Sequence, residues 1–539
     1  MTITPDPNSA PEPAPDKDAA AEDGQRTSVG RILKHSSIYS LVPLLQQVLA
    51  LSLVRLYTRE LGDSEWGALT LSELVILLVP QLVGVNLLGG MTRFYFEQKK
   101  QRDRNTIISS TFLALTAMSW VVCGIALLAR VPLAGLLFGS EGAAAVDPIY
   151  VDYWILTLLI IPFSLSARLA VDYMVILEKP GLTTAVRLFK SLGVIGLNIW
   201  FLVGLDWGLR GYLAGILIGE AVISTGFTIY LMTRLGMRYS SALFTPMLRF
   251  ALPLLPVGLL QLGLHQLDRY LVKANVPLGG LDGMLEPGTD EALTWTGIYG
   301  LGYKIGSLVH VALLGSFMQV WQPLIFGMKD DRARRETMVR VGTYAMISLA
   351  AVYLPVALFG RQLVDLLSGK PFYRLAYEVA PWATISYLFY GAYAISQAAL
   401  FQAKKSRPLI WINASALALN VALNLYLVPR MGIVGAAIAT LCSFLLLAVL
   451  GGFSAHKHYG LSFRGSSVLQ LFALAMACLG VTRMLDEWMD PVGLTELAQV
   501  IAVKAAVALA ILYYLWARVL DANGRAGLVR LVRSRLPSR

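Results

Sequence analysis

Apolar stretches separated by short polar segments recur along the whole sequence from Lys34 onward. Each is about 20 residues or longer, and an α-helix of that length crosses about 30 Å of hydrocarbon. Because lipid leaves no water to bond the backbone, helices or closed barrels are the structures that span it, and apolar runs this long favour helices. We predict fourteen membrane-spanning helices, at residues 36–57, 66–92, 105–130, 149–176, 182–204, 209–233, 248–273, 294–326, 338–360, 376–402, 408–429, 433–455, 467–485 and 497–518.

The composition supports this pattern. Hydrophobic residues make up 56% of the 539 residues and charged residues 15%, whereas a soluble domain carries about 25% charged residues. The chain therefore has too little polar material for several soluble domains, which excludes an ordinary soluble enzyme. Residues 1–28, rich in Pro, Ala, Asp and Glu, are the exception, and we predict that they form a disordered cytoplasmic tail.

The positions of the charges predict the topology. Lys and Arg collect in cytoplasmic loops of membrane proteins, and here the basic segments 98–104, 329–335 and 403–407 all fall on one side of a fourteen-helix plan. The acidic segments 282–291 and 486–490 fall on the other side. We expect a multi-pass membrane protein with both termini cytoplasmic. The net charge of +11 is then a topology signal and predicts no nucleic-acid partner.

The sequence also repeats itself. Trp66-Gly67 near the start of the second span corresponds to Tyr299-Gly300 in the eighth, and the motif at 198–203 corresponds to the one at 424–428. These matches pair spans one to six with spans seven to twelve as parallel repeats, which predicts two six-helix bundles related by a pseudo-twofold axis along the membrane normal. Two further helices follow at the C-terminus. The predicted divisions are the tail 1–28, a first bundle 29–234, a second bundle 235–457, and helices 13 and 14 with a basic cytoplasmic C-terminus in 458–539.

A family resemblance covers nearly the whole chain after the tail. Residues 56–62, Glu65-Trp66-Gly67, Asp268-Arg269 and Tyr299-Gly300 resemble, in this order, the Wzx-like polysaccharide flippases of the multidrug/oligosaccharidyl-lipid/polysaccharide exporter superfamily. The resemblance implies that an undecaprenyl-diphosphate-linked oligosaccharide moves by alternating access from the cytoplasmic to the periplasmic leaflet of the bacterial inner membrane. It also implies membrane lipid as a partner, and a polysaccharide polymerase and glycosyltransferases of the same pathway as further partners.

Cations inside or near the spans are the candidate binding residues for a diphosphate, because ionisable side chains within a membrane are costly and are often functional. Arg187 and Lys190 lie three residues apart, on one helical face. The alternative is that residues near helix ends extend their charges to the membrane surface. The candidates for a cationic cleft are Lys190, Arg269, Lys304, Arg187, Arg168, Arg55, Arg93 and Arg249.

Three acidic residues in the spans, Asp268, Glu73 and Glu220, are candidates for coupling transport to H⁺ or Na⁺. A structural ion pair is the alternative role for Asp268. Tyr387, Tyr390 and Tyr393 recur every three residues in the tenth span and are candidates for stacking on sugar rings, with a place in the membrane-interface belt as the alternative.

Enzymatic and metal chemistry have no support in the sequence. Cys123, Cys442 and Cys478 lie in apolar runs without a CxxC motif, and no hydrolase, metalloprotease or Walker A motif occurs, so we predict no metal, no cofactor and no enzyme. Two alternatives stay open. One is a small-molecule or drug exporter of the same superfamily, and the other is a polytopic polysaccharide polymerase or ligase.

Overall fold

A computed structural model of the protein is almost entirely helical in the part of the chain that it describes. The described residues are 46, 49–84, 86–139, 146–177, 179–315, 317, 318, 321, 325, 328, 330–403, 406–461, 465–488 and 494–519. The predicted tail 1–28, much of the first predicted span and the basic C-terminus lie outside these residues.

Seventeen α-helices are numbered here in chain order, the first being residues 49–60. The others are α2 (Glu65–Val83), α3 (Leu87–Glu97), α4 (Gln101–Leu128), α5 (Arg130–Phe138), α6 (Pro148–Ile176), α7 (Pro180–Ile199), α8 (Gly208–Tyr230), α9 (Ser241–Ala251), α10 (Leu255–Asn275), α11 (Glu291–Val309), α12 (Asp331–Leu358), α13 (Gly360–Leu367), α14 (Ala380–Gln402), α15 (Ser406–Tyr459), α16 (Gly465–Trp488) and α17 (Leu494–Tyr514). Short π-helical turns extend α7, α8, α11 and α17.

The prediction of an all-α membrane protein is confirmed. Within the described part of the chain, nine helices are long and apolar enough to cross a membrane. One of them, Arg407–Tyr459, consists of two crossings joined at Gly432, where the backbone leaves the helical conformation with φ 57°. Helices α1, α11, α14 and α16 overlap four other predicted spans, so each of the fourteen predicted crossings has a helix in the described part of the chain.

Two predicted spans have a different form in the structure. The second span divides into α2 and α3 because Gly84 ends α2 in the left-handed conformation, with φ 109°. Pro80, inside α2, has no N–H to donate and weakens the last turns of that helix. The seventh span is longer than predicted, because α9 and α10 follow each other across the Pro253 and Pro256 turn and together run from Ser241 to Asn275.

The helices form two packed groups. In the first, α6 packs against α4 and α8, and α7 packs against α8. In the second, α15 packs against α10 and α14, and α14 also contacts α11 and α12. Helices α16 and α17 lie against α12, and the buried Lys504 of α17 donates a hydrogen bond to Asp486 of α16 over 2.6 Å.

The seam between the two groups is formed mainly by α2 packed against α10 and α11. Gly67, Thr70 and then Glu73 of α2 meet Gly297, Gly300 and then Lys304 of α11, so the two helices run in parallel. A Cβ atom on Gly67 would lie 1.8 Å from the carbonyl oxygen of Leu293. Small residues in membrane helices permit such a close backbone approach, and here they set the depth at which Glu73 and Lys304 meet.

Gly67→Ala tests this seam. The added methyl group forces α2 and α11 apart, and we expect a loss of stability of about 1–3 kcal/mol, typical of overpacking. The measurement is the melting temperature of the purified protein in detergent. Gly226→Ala in α8 is the matched control, because a Cβ there meets no atom within 4 Å. Equal melting temperatures for the two variants would contradict the assigned packing.

Candidate functional site

Three charged side chains from both helix groups meet at the seam. Glu73 of α2 accepts a hydrogen bond from Lys304 Nζ of α11 through its Oε1 atom, over 3.0 Å. Its Oε2 atom lies 3.9 Å from Nη1 of Arg269 of α10. One carboxylate of the first group thus faces two cations of the second, and we call these three residues the seam cluster.

Aromatic rings flank the seam cluster. Lys304 Nζ lies 5.0 Å from the centre of the Trp66 ring, and the Arg269 guanidinium lies 5.5 Å from the centre of the Tyr303 ring. A cation over an aromatic face is stabilised by the ring quadrupole. The side chains of Glu73 and Lys304 are 32% and 33% exposed, whereas that of Arg269 is 9% exposed. Glu73 and Lys304 are therefore partly accessible, whereas Arg269 is nearly buried.

Asp268 precedes Arg269 but faces different partners. It is fully buried and accepts hydrogen bonds from the Tyr299 hydroxyl, from Thr440 Oγ1 over 3.3 Å and from the backbone N–H of Arg269 over 2.9 Å. Adjacent helical residues point about 100° apart, which is why the two side chains separate. Asp268 joins α10 to α11 and α15 inside the second group.

A second ion pair lies within the first group. Lys190 Nζ of α7 donates to Glu220 Oε1 of α8 over 2.8 Å. One turn earlier in α7, the Arg187 carbonyl oxygen accepts a hydrogen bond from Gln46, and Arg187 and Arg168 both lie within electrostatic range of Asp172. Glu73 and Glu220, which stand alone in the sequence, are thus both paired in the structure.

The other three predicted cations are exposed, as Arg168 is, and two of them contact residues outside the seam cluster. Arg55 is exposed, and its Nη1 lies 3.4 Å from the Leu366 carbonyl oxygen. Arg93 pairs with Glu97 over 3.0 Å and stacks over the Phe250 ring, and Arg249 is exposed on α9. A role for these cations at the membrane surface stays a prediction.

The predicted tyrosine stripe packs inside the second group. The rings of Tyr387 and Tyr390 contact His265, His310 and Phe444, with His310 and Tyr387 stacked at 4.6 Å between ring centres. Tyr393 is buried and its hydroxyl accepts a hydrogen bond from Asn413 over 2.7 Å. A role in sugar stacking stays a prediction, and it requires these rings to become accessible.

The two groups are also tied together at the end of the molecule that the charge pattern predicts to be periplasmic. Lys370 Nζ donates to Asp63 Oδ1 over 2.6 Å, and the N–H of Gly369 donates to Thr58 Oγ1 over 2.9 Å. The Tyr373 hydroxyl donates to the Asp63 carbonyl oxygen over 3.2 Å. Burial, with the nearby carboxylates, raises the pKa of Tyr373, which keeps this hydroxyl protonated as a donor. The outer ends of the groups are therefore in contact.

Several residues of the site were not found from the sequence. Trp66 and Tyr303 flank the cations, and Tyr299 and Thr440 bind Asp268, but each is an ordinary residue within an apolar helix. Trp66 and Tyr299 occupy corresponding positions in the sequence repeat, which is the one signal that could have singled them out.

Comparison with known proteins finds solved structures that have a similar fold. No protein-family model and no curated protein sequence matches the chain. Among solved structures, a lipid II flippase, MurJ, in an inward closed conformation has a TM-score of 0.64 at 12% identity and covers 88% of this chain and 98% of its own. An inward-facing multidrug resistance MATE family transporter of the MOP superfamily has a TM-score of 0.61 at 12% identity and covers 79% of this chain and 98% of its own. The Vibrio cholerae MATE transporter VcmN has a TM-score of 0.58 at 16% identity and covers 80% and 97%.

The chain therefore has the fold of the MATE transporters and of MurJ. At these identities the comparison shows the fold alone. It confirms a multi-pass helical membrane protein, and it leaves the cargo and the roles of individual residues to the geometry of the site.

Asp268 offers a test that separates its two predicted roles. Asp268→Ala removes the acceptor of the buried Tyr299 hydroxyl, at a cost of about 1–3 kcal/mol, while Thr440 keeps the Ala436 carbonyl oxygen as an acceptor. Asp268→Asn retains an acceptor oxygen. We expect a lower melting temperature for the alanine variant and a nearly unchanged one for the asparagine variant. Equal destabilisation by both would contradict the assigned contacts. If the asparagine variant folds but loses its response to H⁺ or Na⁺ gradients, the residue couples transport.

Proposed function

We propose that this protein is a flippase that moves an undecaprenyl-diphosphate-linked oligosaccharide from the cytoplasmic to the periplasmic leaflet of the bacterial inner membrane. The observation that carries the proposal is the seam cluster, in which Lys304 and Arg269 share one carboxylate. The three residues of the cluster together carry one net positive charge at the boundary between the helix groups. Transporters built from repeats place their substrate at that boundary.

The chemistry of the cluster suits a diphosphate. An arginine guanidinium can donate two parallel hydrogen bonds to a phosphate, and a lysine ammonium acts as a compact point charge. Such interactions are strong where water is scarce, because charges there are poorly screened. Support also comes from the fold comparison, in which MurJ, described as a lipid II flippase, covers more of this chain than the MATE transporters do.

A drug exporter is the alternative within this fold, and the MATE similarity suggests it. An exporter of organic cations needs an accessible, unneutralised carboxylate. Glu73 and Glu220 are each paired with a cation, and Asp268 is buried among hydroxyl donors. The balance of charge at the seam therefore favours an anionic cargo. A polymerase or ligase has no specific observation in its favour.

The proposal also includes the topology, the two bundles, the partners and the ion coupling of the protein. Both termini are cytoplasmic, residues 29–234 and 235–457 are the two rocking bundles, and residues 458–539 supply the two additional helices. A polysaccharide polymerase and glycosyltransferases are the expected partners. Coupling to H⁺ or Na⁺ through Asp268, Glu73 or Glu220 is part of the proposal.

The test is transport by purified protein in proteoliposomes that carry a fluorescent undecaprenyl-diphosphate-linked oligosaccharide. Loss of one hydrogen bond to a charged group costs about 1.5–3 kcal/mol, so Lys304→Ala and Arg269→Ala should each slow transport roughly tenfold or more. Lys190→Ala reports whether the Lys190–Glu220 pair also contacts the cargo.

The matched control is Arg332→Ala, which removes a cation whose side chain is 90% exposed outside the spans, and which we expect to transport at the wild-type rate. Wild-type rates for the Lys190, Arg269 and Lys304 variants would refute the cationic-cleft proposal. Efflux of a cationic dye, without movement of the lipid-linked sugar, would instead establish the exporter.

A further inference from the structure

The three residues of the seam cluster are unbalanced in both charge and hydrogen bonding, and the neighbouring Asp268 carboxyl group accepts hydrogen bonds from Tyr299 and Thr440 instead. Glu73 supplies one negative charge to two cations, and its contact with Arg269 spans 3.9 Å. Arg269 Nε is buried and has no hydrogen-bond partner among the described residues. Buried donors normally have an acceptor, and a guanidinium has five N–H groups that each require one. The cluster is thus built to accept a ligand with more negative charge and more acceptor oxygens than one carboxylate.

The position of Glu73 adds a mechanical consequence. Glu73 belongs to α2 of the first group, whereas Lys304 and Arg269 belong to α11 and α10 of the second. The same electrostatic contact that neutralises the cations therefore also holds the two groups together. Separating them without a substitute anion would leave two cations unpaired in a poorly hydrated seam, which is strongly unfavourable.

We propose that Glu73 is a displaceable counter-ion: the diphosphate of the cargo replaces it on Lys304 and Arg269, and this exchange releases the first helix group from the second. This inference rests on the proposed function and adds how cargo binding controls movement. The empty protein stays closed because Glu73 bridges the groups. The loaded protein can rock because the cargo then neutralises the two cations and Glu73 no longer bridges the groups.

The exchange predicts competition between Glu73 and any soluble diphosphate. Glu73→Gln has nearly the same shape but no charge, so it removes the competitor and leaves both cations in place. We expect pyrophosphate, titrated by calorimetry into the purified full-length protein, to bind the Glu73→Gln variant at least tenfold more tightly than the wild type. Lys304→Gln with Arg269→Gln should abolish this binding in either background.

Two controls accompany the titration. Glu336→Gln removes a carboxylate that also pairs with an arginine but is 60% exposed and outside the spans, and its pyrophosphate affinity should equal that of the wild type. Glu73→Asp keeps the charge on a shorter side chain and should give an intermediate affinity. It also provides a second test of competition if the glutamine variant folds poorly.

Amide hydrogen exchange provides a readout that a purely structural role would not change. The segment 366–373 contacts Thr58 and Asp63 when the outer ends are joined, through Leu367, Gly369, Lys370 and Tyr373. In the wild type, pyrophosphate should speed exchange in this segment, because it releases the groups. In Glu73→Gln, exchange should be fast without pyrophosphate. Glu336→Gln should behave like the wild type.

The proposal is overturned if Glu73→Gln binds pyrophosphate no more tightly than the wild type. It is also overturned if neither pyrophosphate nor the substitution changes the rate of amide hydrogen exchange in residues 366–373. Failure of the proposed function has a different signature. In that case the wild type moves no lipid-linked oligosaccharide in proteoliposomes, while the competition between Glu73 and pyrophosphate persists.

Discussion

The need to neutralise charge inside a membrane governs this structure. Cations placed deep in apolar helices must find anions, and Lys304 and Arg269 of one helix group find theirs in Glu73 of the other. The close approach of α2 and α11 at Gly67, Gly297 and Gly300 brings the carboxylate within reach. Packing, electrostatics and the relation between the two halves therefore depend on one another at a single seam.

This arrangement connects fold and function. The two groups touch at their outer ends through Asp63 and Lys370, and deeper in the seam through the charged cluster. An alternating-access transporter has to break and remake such contacts in each cycle. The seam cluster has two cations and one carboxylate, so an anionic cargo can supply the missing negative charge. Binding of the cargo can thereby be linked to the breaking of the contacts between the groups. Such a link would suppress idle movement of the empty carrier.

The sequence predicted the fold well and the site in part. The length and hydropathy of the apolar runs predicted the helices, because a helix that crosses a membrane must be long and apolar. The break at Gly84 was not predicted, because it depends on a local backbone conformation that hydropathy does not report. The cations Lys304 and Arg269 stood out because charge is rare in such helices. Glu73 also stood out, as a lone acidic residue in a span, but its pairing with these cations was not predicted, since it lies 231 residues from Lys304 and only the packing of α2 on α11 brings them together. The tyrosine stripe was visible as a pattern, but its contacts with His265 and His310 depend on three-dimensional packing.

The most direct test is a cryo-electron microscopy structure of the full-length protein in nanodiscs with an undecaprenyl-diphosphate-linked sugar. The account predicts phosphate density between Lys304 Nζ and the Arg269 guanidinium, with the Glu73 carboxylate turned away from both. Phosphate density elsewhere, with the 3.0 Å contact between Glu73 and Lys304 intact, would contradict it.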